Sequence, residues 1–203
     1  INAHLKRGGK VLAFVYAAGC VGEIGINPER VQDITGIETE VREKQCPARI
    51  TYVENTAKEG KYLPVGGSFG SGVHLGPVFI PQAGQVLAKQ EGEDTPAVVV
   101  KDFGDHTVCY SSIPGLSAEL LRGLAECAGI PIINASWTDA TYVGDNLFAV
   151  HTGAGGKRVF RVPKKYQAGN ATELFTGKKY PIRDGEFTMC LEPVSTVLFR
   201  LSE

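Results

Sequence analysis

The sequence predicts an α/β domain followed by a small antiparallel β-sandwich. Two observations support this fold class. Before Gly129, buried strand patterns are combined with a clear amphipathic helix pattern, whereas after Trp137 only short strand patterns separated by turn signals remain. We therefore expect residues 1–136 to form the α/β domain and residues 137–203 to form the β domain.

The chain opens on a helix pattern that runs into a buried strand pattern. Ile1 and Leu5 lie four residues apart, as one face of a helix requires, and Gly8-Gly9 is typical of a helix end. The apolar run at residues 11–16 then predicts a strand covered on both faces. Because a helix and a buried parallel strand normally belong to a larger sheet, we expect an N-terminally truncated domain, the downstream part of a longer polypeptide.

Short strand patterns dominate the middle of the chain. They occupy residues 48–53, 78–80, 85–88, 96–101 and 107–111. Residues 102–105 suit a hairpin turn between the last two strands. The glycine-rich stretch at residues 66–72 lacks the Gly-Lys-Ser/Thr ending of a phosphate-binding loop, and we expect it to be a flexible loop.

The clearest helix pattern begins after Ser117, which is a suitable N-cap, and ends at Gly129. Its apolar residues recur at helical spacing: Leu120, Leu121, Leu124, Ala125 and Ala128. Residues 130–133 predict an exit strand. The strand patterns beyond Trp137 occupy residues 142–143, 146–151, 158–162, 173–175, 186–191 and 196–201.

Composition and charge place the chain among ordinary soluble globular proteins. It is 43% hydrophobic and 21% charged, with a net charge of -1. This charge gives no electrostatic reason to expect nucleic acid or an anionic membrane as partner. No apolar run approaches the ~18 residues that a membrane span requires. The sequence does not determine the cellular compartment. A periplasmic or secreted location is among the alternatives if a signal precedes Ile1.

The cysteines give no sign of a disulfide framework or a metal site. They are Cys20, Cys46, Cys109, Cys127 and Cys190. Their number is odd, their spacings are wide, and none forms a Cys-x-x-Cys pair, so we interpret them as free thiols. We expect no cofactor and no resident metal.

The order of these segments resembles a known family. Residues 85–88, residues 95–99, the turn with Gly104, residues 108–111 and residues 120–130 are similar to the "β-galactosidase trimerisation" domain of glycoside hydrolase family 42 and related glycosidases. The resemblance implies a flavodoxin-like, three-layer domain built like a class I glutamine amidotransferase. The tail is similar to the small β-sandwich that closes such enzymes, through residues 173–178, 187–189 and 196–199.

Cys20 is the candidate nucleophile that this resemblance suggests. Amidotransferases place their thiol at a strand-to-helix elbow, as Gly-x-Cys-x-Gly, and Cys20 follows a buried strand pattern. However, Ala18 stands in place of the first glycine. The segment at residues 110–114, which corresponds to the family's base, contains no histidine, and His106 precedes that strand. We therefore expect Cys20 to be catalytically silent.

A glycosidase site would need two carboxylates flanking a sugar, and in this class they sit in a (β/α)₈ barrel. Such a barrel needs at least ~200 residues and eight βα repeats, whereas this chain has one convincing internal helix pattern. The pairs Glu38/Glu40 and Glu91/Glu93 lie in polar segments typical of exposed faces. We expect the catalytic dyad of the parent enzyme to lie outside this chain.

Aromatic residues of the β domain are candidate carbohydrate contacts. Trp137 and Tyr142, with His151, could form a platform, since aromatic faces stack on pyranose rings. A structural role for Trp137 at a domain boundary is the alternative.

Three functions therefore remain open. The leading interpretation is a non-catalytic assembly or accessory region of a larger carbohydrate-active enzyme, contacting further copies of itself or an upstream catalytic domain. The second is a carbohydrate-binding module. The third is a thiol-dependent hydrolase that uses Cys20.

Overall fold

The computed structural model describes residues 10–23, 25–166 and 169–202. The helix predicted at residues 1–7 and its Gly8-Gly9 end lie outside the described residues. The chain divides into two compact units between Ile130 and Pro131, and each is described by itself. The domain boundary predicted at residues 136/137 stays a prediction.

The first unit is mostly β-structure. Its strands are β1 (Lys10–Val15), β2 (Val21–Gly22), β3 (Gly25–Ile26), β4 (Thr39–Arg42), β5 (Cys46–Tyr52), β6 (Ser68–Leu75), β7 (Val78–Pro81), β8 (Gln85–Gln90), β9 (Pro96–Asp102) and β10 (His106–Ser111). Its described helices are α1 (Arg30–Thr35) and α2 (Ala118–Cys127), with a 3₁₀ turn at Lys58–Gly60.

Six of these strands form one mixed sheet in the order β1-β10-β9-β8-β5-β6. Only β1 and β10 pair in parallel, and every other described pairing in the sheet is antiparallel. The flavodoxin-like three-layer arrangement implied by the resemblance is thus not what the described residues display. The reason is local. Short turns join β8 to β9 and β9 to β10, and such turns can only make antiparallel pairs, since a parallel pair needs a crossover of about a dozen residues.

The predicted helix is confirmed as α2. The Ser117 hydroxyl accepts a hydrogen bond from the Leu120 backbone N–H at 3.2 Å, which caps the helix. Leu120 and Leu124 are buried in a cluster with Ile50 and Val98 of the sheet. Leu120 and Leu124 of the predicted apolar face therefore pack on the sheet, whereas Leu121 and Ala128 are exposed.

The strands predicted in the middle of the chain are also confirmed, as β5 and β7 to β10, but two other predictions were wrong. The glycine-rich stretch expected to be a flexible loop lies largely in β6, an edge strand. The exit strand expected at residues 130–133 does not form. Pro131 lacks a backbone N–H to donate to a sheet, which weakens strand pairing there.

The second unit contains two antiparallel sheets. Its strands are β11 (Asp139–Gly144), β12 (Leu147–Thr152), β13 (Gly156–Arg161), β14 (Gly169–Glu173), β15 (Lys179–Ile182), β16 (Glu186–Leu191) and β17 (Ser195–Ser202). One sheet has the order β11-β12-β17-β14-β15, and β13 pairs with β16 in the other. The predicted antiparallel β domain is confirmed, but the strand predicted at residues 173–175 was wrong, since β14 ends at Glu173 and Leu174 and Phe175 lie in a turn. β15 was missed because Pro181 interrupts its pattern.

The two sheets of this unit enclose a shared aromatic core. Phe148 and Phe199 come from the five-stranded sheet, and Phe160 and Phe187 come from the two-stranded one. All four rings are almost fully buried, and the centroids of Phe187 and Phe199 lie 5.1 Å apart in an edge-to-face arrangement. The core therefore joins the sheets as a sandwich.

A substitution at Gly123 tests how tightly α2 packs in the first unit. A β-carbon there would lie 2.0 Å from the Glu59 carbonyl oxygen, which belongs to the 3₁₀ turn. We expect Gly123→Ala to destabilise the protein by about 2 kcal/mol, because overpacking against backbone outweighs the gain in helix propensity. Urea unfolding followed by circular dichroism measures the change. Gly72→Ala is the control, since its β-carbon would meet nothing within 4 Å. An unchanged or raised stability of Gly123→Ala would contradict the described packing.

Candidate functional site

Cys20 lies in the interior of the first unit. It is 3% exposed and packs in a cluster with Val31, Phe79 and Tyr110. Its backbone N–H donates to the Ala17 carbonyl oxygen at 3.0 Å, and its own carbonyl accepts from Asn27 N–H at 2.8 Å. In the described part of the chain, the Cys20 sulfur has no hydrogen-bonding side-chain partner. The Cys20 side chain therefore contributes to packing in the core.

The residue with elbow-like backbone geometry is Tyr16, four residues before Cys20. Tyr16 directly follows β1 and has a φ of 49°, a left-handed conformation that is costly for a bulky side chain. Two hydrogen bonds hold it: its N–H donates to the Ser111 carbonyl at 2.7 Å, and its carbonyl accepts from the Tyr110 hydroxyl at 2.8 Å. Nothing in the sequence pattern marked this residue.

Tyr16 does not supply a nucleophile in place of the thiol. Burial raises the pKa of its phenol, and the nearby Cys20 and Cys46 raise it further. The hydroxyl is therefore protonated at neutral pH, and an unactivated phenol is a weak nucleophile. The elbow at the end of β1 keeps a strained backbone without a reactive group.

His106 lies at the opposite end of β10 from the elbow. It pairs with Lys10, whereas Ser111 pairs with Val15. Five strand residues separate these positions, roughly 17 Å at the usual rise per residue. The His106 ring stacks on Phe103 with centroids 4.8 Å apart. His106 is thus held in the β9–β10 hairpin and does not serve as a base for Cys20.

Of the four acidic residues considered for a glycosidase dyad, Glu38 and Glu40 are exposed, and Glu91 and Glu93 are engaged in exposed ion pairs. Glu91 pairs with Arg49 at 3.0 Å, and Glu93 pairs with Arg42 at 2.9 Å. Hydrogen bonds from Arg42 lower the pKa of Glu93, whereas a general acid needs a raised pKa. Among the described residues, no group of three or more His, Cys, Asp or Glu side chains is arranged to hold a metal ion.

A cleft of about 770 Å³ lies beside α2 in the first unit. The segment at residues 54–65, with Glu126 and Cys127, lines it. Glu126 accepts hydrogen bonds from the Lys61 ammonium at 3.0 Å and the Tyr62 hydroxyl at 2.8 Å. Burial, followed by the nearby Glu59, raises the pKa of the Cys127 thiol. The Glu126 carboxylate is therefore engaged in hydrogen bonds and the Cys127 thiol is not activated, whereas the exposed Glu54 also lines the cleft.

In the second unit, β11 places Tyr142 on the solvent side of the five-stranded sheet. Residues alternate along these strands, and Phe148, Val150 and Phe199 face the core. We call the opposite side the outer face; its central residues are Tyr142, His151, Thr172, Lys179, Leu198 and Arg200. Tyr142 is 67% exposed there. Trp137 precedes β11 and is 51% exposed. Of the three predicted platform residues, Tyr142 and His151 share the outer face.

A buried ion pair anchors β11 from its core side. The Asp139 side chain is fully buried, and the Arg158 guanidinium binds both of its oxygens, at 2.7 and 3.3 Å. The Asn134 amide donates to Asp139 at 3.0 Å and to the Thr141 hydroxyl at 3.3 Å. Burial alone would raise the pKa of Asp139, but the hydrogen bonds from Arg158, Asn134 and Thr152 outweigh it, so the pKa lies well below the ordinary value.

Comparisons with known proteins show which solved structures share this fold. No protein-family model matches the chain, and no curated protein matches its sequence. Solved structures do match. The β-galactosidase from Bacillus circulans sp. alkalophilus superposes with a TM-score of 0.60 at 17% identity, over 99% of this chain and 30% of that one. The β-galactosidase from Rahnella sp. R3 gives 0.59 at 14% identity, over 98% and 30%.

A third match names the glycoside hydrolase family. The catalytic mutant of Gan42B, a GH42 β-galactosidase from G. stearothermophilus, gives a TM-score of 0.52 at 14% identity, over the whole of this chain and 30% of that one. The chain therefore has the fold of a part of GH42 β-galactosidases, and it spans about 30% of the length of the structures it matches. Among the described residues, no helix is both long and apolar enough to span a membrane.

The thiol chemistry can be tested directly. We expect iodoacetamide to label the exposed Cys190 first in the native protein and Cys20 only on unfolding, because the Cys20 sulfur is buried. Mass spectrometry of peptides from native and denatured samples measures this, and labelling of all five cysteines in denaturant is the control. Rapid labelling of Cys20 with a thiolate below about pH 7 would show that it is an activated nucleophile.

The ion pair predicts a specific pH dependence. Because the folded-state pKa of Asp139 is depressed, its stabilisation is present above the ordinary pKa of about 4 and is lost as pH falls below that value. We expect Asp139→Asn to cost about 3 kcal/mol at pH 7, with the difference from wild type shrinking toward pH 2. Urea unfolding followed by the fluorescence of Trp137, the only tryptophan, measures it.

Glu186→Gln is the matched control for Asp139→Asn. Glu186 pairs with Arg161 at 2.9 Å, but both side chains are substantially exposed. Such a pair contributes at most about 1 kcal/mol, so this variant should stay close to wild type. A pH-independent difference between wild type and Asp139→Asn would contradict the depressed pKa.

Proposed function

We propose that this chain is a non-catalytic accessory region of a β-galactosidase-type glycoside hydrolase. The match of 99% of the chain to about 30% of such an enzyme carries this proposal. In it, the first unit is a trimerisation-type domain derived from an amidotransferase-like scaffold, and the second is the closing β-sandwich, with the boundary near residues 136/137. The partners are further copies of the chain or the catalytic domain of the same polypeptide.

The non-catalytic role is supported by the state of the candidate residues. Cys20 is buried without a base, and Tyr16, at the strained elbow, has a raised pKa. Glu91 and Glu93 are held in ion pairs with arginines. A thiol-dependent hydrolase, the third function considered, has no supporting observation among these residues.

An assembly role is supported by an apolar pair on the first unit. Val21 and Ile26 are cross-strand partners in the β2–β3 hairpin, and each is 76% exposed. Two adjacent large apolar side chains exposed to this degree are typical of an interaction surface. We propose that a second copy of the chain covers them, since symmetric self-association is the most common form of assembly.

Sedimentation of the purified chain tests this role. We expect an oligomer at micromolar concentration, and we expect the double variant Val21→Ser/Ile26→Ser to sediment as a folded monomer, because the apolar contact is lost. Val159→Ser/Val194→Ser is the control. It removes two exposed valines of the second unit and should leave the oligomer intact.

Two results would contradict the proposal. A wild-type chain that sediments as a monomer would remove the self-association role. Hydrolysis of an aryl β-galactoside above the buffer rate, abolished by substituting one Glu or Asp of this chain, would show that the chain is itself catalytic.

A further inference from the structure

The outer face of the second unit has an unusual charge distribution. The acidic residues in the described parts of β11, β12, β14, β15 and β17 are Asp139, whose side chain is fully buried, and Glu173, which is 5% exposed. The Glu173 carboxylate accepts hydrogen bonds from the backbone N–H groups of Phe175 and Thr176 in its own turn. The outer face is therefore free of strand carboxylates, whereas it carries exposed cations.

Two of these cations lie in one cross-strand row. Arg200 pairs with Thr172, and Thr172 pairs with Lys179. Two strand spacings separate Arg200 from Lys179, roughly 10 Å between their Cα atoms. Neither makes an ion pair with any residue that the structure describes. Two unpaired cations with a hydroxyl between them favour an anionic group bound across the row.

The neighbouring rows add the contacts that a sugar ring requires. Tyr142 pairs with Ala149, and Ala149 pairs with Leu198. The exposed Tyr142 ring therefore lies at one end of a row of apolar side chains. In the next row, the His151 Nδ1 lies 2.8 Å from the Thr196 hydroxyl. This bond fixes the imidazole, and among the described residues nothing hydrogen-bonds its Nε2. An aromatic ring can stack on a pyranose, and an oriented imidazole can bind a hydroxyl.

We propose that the outer face binds an anionic saccharide, a glycan that carries carboxylate or sulfate groups. Tyr142 stacks on a sugar ring, His151 and Thr172 bind hydroxyls, and Arg200 and Lys179 bind the acidic substituents. A single exposed aromatic flanked by separated polar groups fits a sugar chain better than a protein partner, whose anchors cluster in a central pocket. The choice of a saccharide rests on the proposed function, whereas the choice of an anionic one rests on the charge distribution.

Affinity electrophoresis of the full chain tests the proposal. Native gels contain polygalacturonate, carrageenan or neutral β-1,4-galactan at low salt. We expect retardation in at least one polyanion gel and none in neutral galactan, and we expect the retardation to weaken as salt is raised. Retardation by polygalacturonate alone would identify the bound groups as uronate carboxylates. Retardation by carrageenan alone would identify them as sulfate esters.

Variants locate the site on the outer face. We expect Tyr142→Ala and the double variant Arg200→Gln/Lys179→Gln each to weaken binding at least about tenfold, equivalent to 1.4 kcal/mol. Lys157→Gln is the matched control, since Lys157 is an exposed cation on β13, in the other sheet, and should bind as wild type does. The fluorescence of Trp137 and thermal unfolding verify that each variant is folded.

Four results would overturn the inference. Two concern the glycans: no retardation by either polyanion, or retardation by neutral galactan alone. The others are a loss of binding in Lys157→Gln as large as in the outer-face variants, and retardation by polyglutamate, which has the charge without the sugar, as strong as that by the polyanionic glycans. These outcomes are independent of sedimentation and hydrolysis, so the inference can fail while the accessory role stands.

Discussion

Four buried phenylalanine rings determine the arrangement of the second unit. Phe148 and Phe199 on one sheet meet Phe160 and Phe187 on the other, and the unit has no comparable aromatic cluster elsewhere among its described residues. Because side chains alternate along a strand, burying Phe148 and Phe199 forces their neighbours to the opposite side. The outer face is therefore a consequence of the core. A shift of one residue would replace Phe148 in the core by Leu147 or Ala149, and Phe199 by Leu198 or Arg200.

The first unit has a strained turn at the end of β1 without a reactive group. Tyr16 has a left-handed backbone there, and hydrogen bonds from Tyr110 and to Ser111 hold it in place. Cys20 contributes volume to the core instead of reactivity. Strain of this kind persists only when the surrounding structure holds it.

Local signals predicted the elements that depend on local sequence. The Ser117 cap with its apolar spacing located α2, and the apolar runs located β7 to β10. The antiparallel second unit and the β9–β10 hairpin were predicted, but the order of the strands in each sheet was not, because it depends on pairing between segments distant in sequence. The same limit applies to the candidate sites. Tyr142 could be singled out as an exposed aromatic, but its association with Arg200 and Lys179 depends on a register across β11, β12, β17, β14 and β15.

The engagement of Asn134 has a consequence for how the protein is produced. Asn134-Ala135-Ser136 fits the acceptor sequence for N-linked glycosylation, a modification made on the side-chain amide. In the folded protein that amide is 8% exposed and donates to Asp139 and Thr141. A glycan attached during synthesis in a eukaryotic secretory pathway would remove one of the two N–H groups through which Asn134 donates to Asp139 and Thr141. We expect the glycosylated fraction of material made in such a host to be less stable in its second unit than the unmodified fraction.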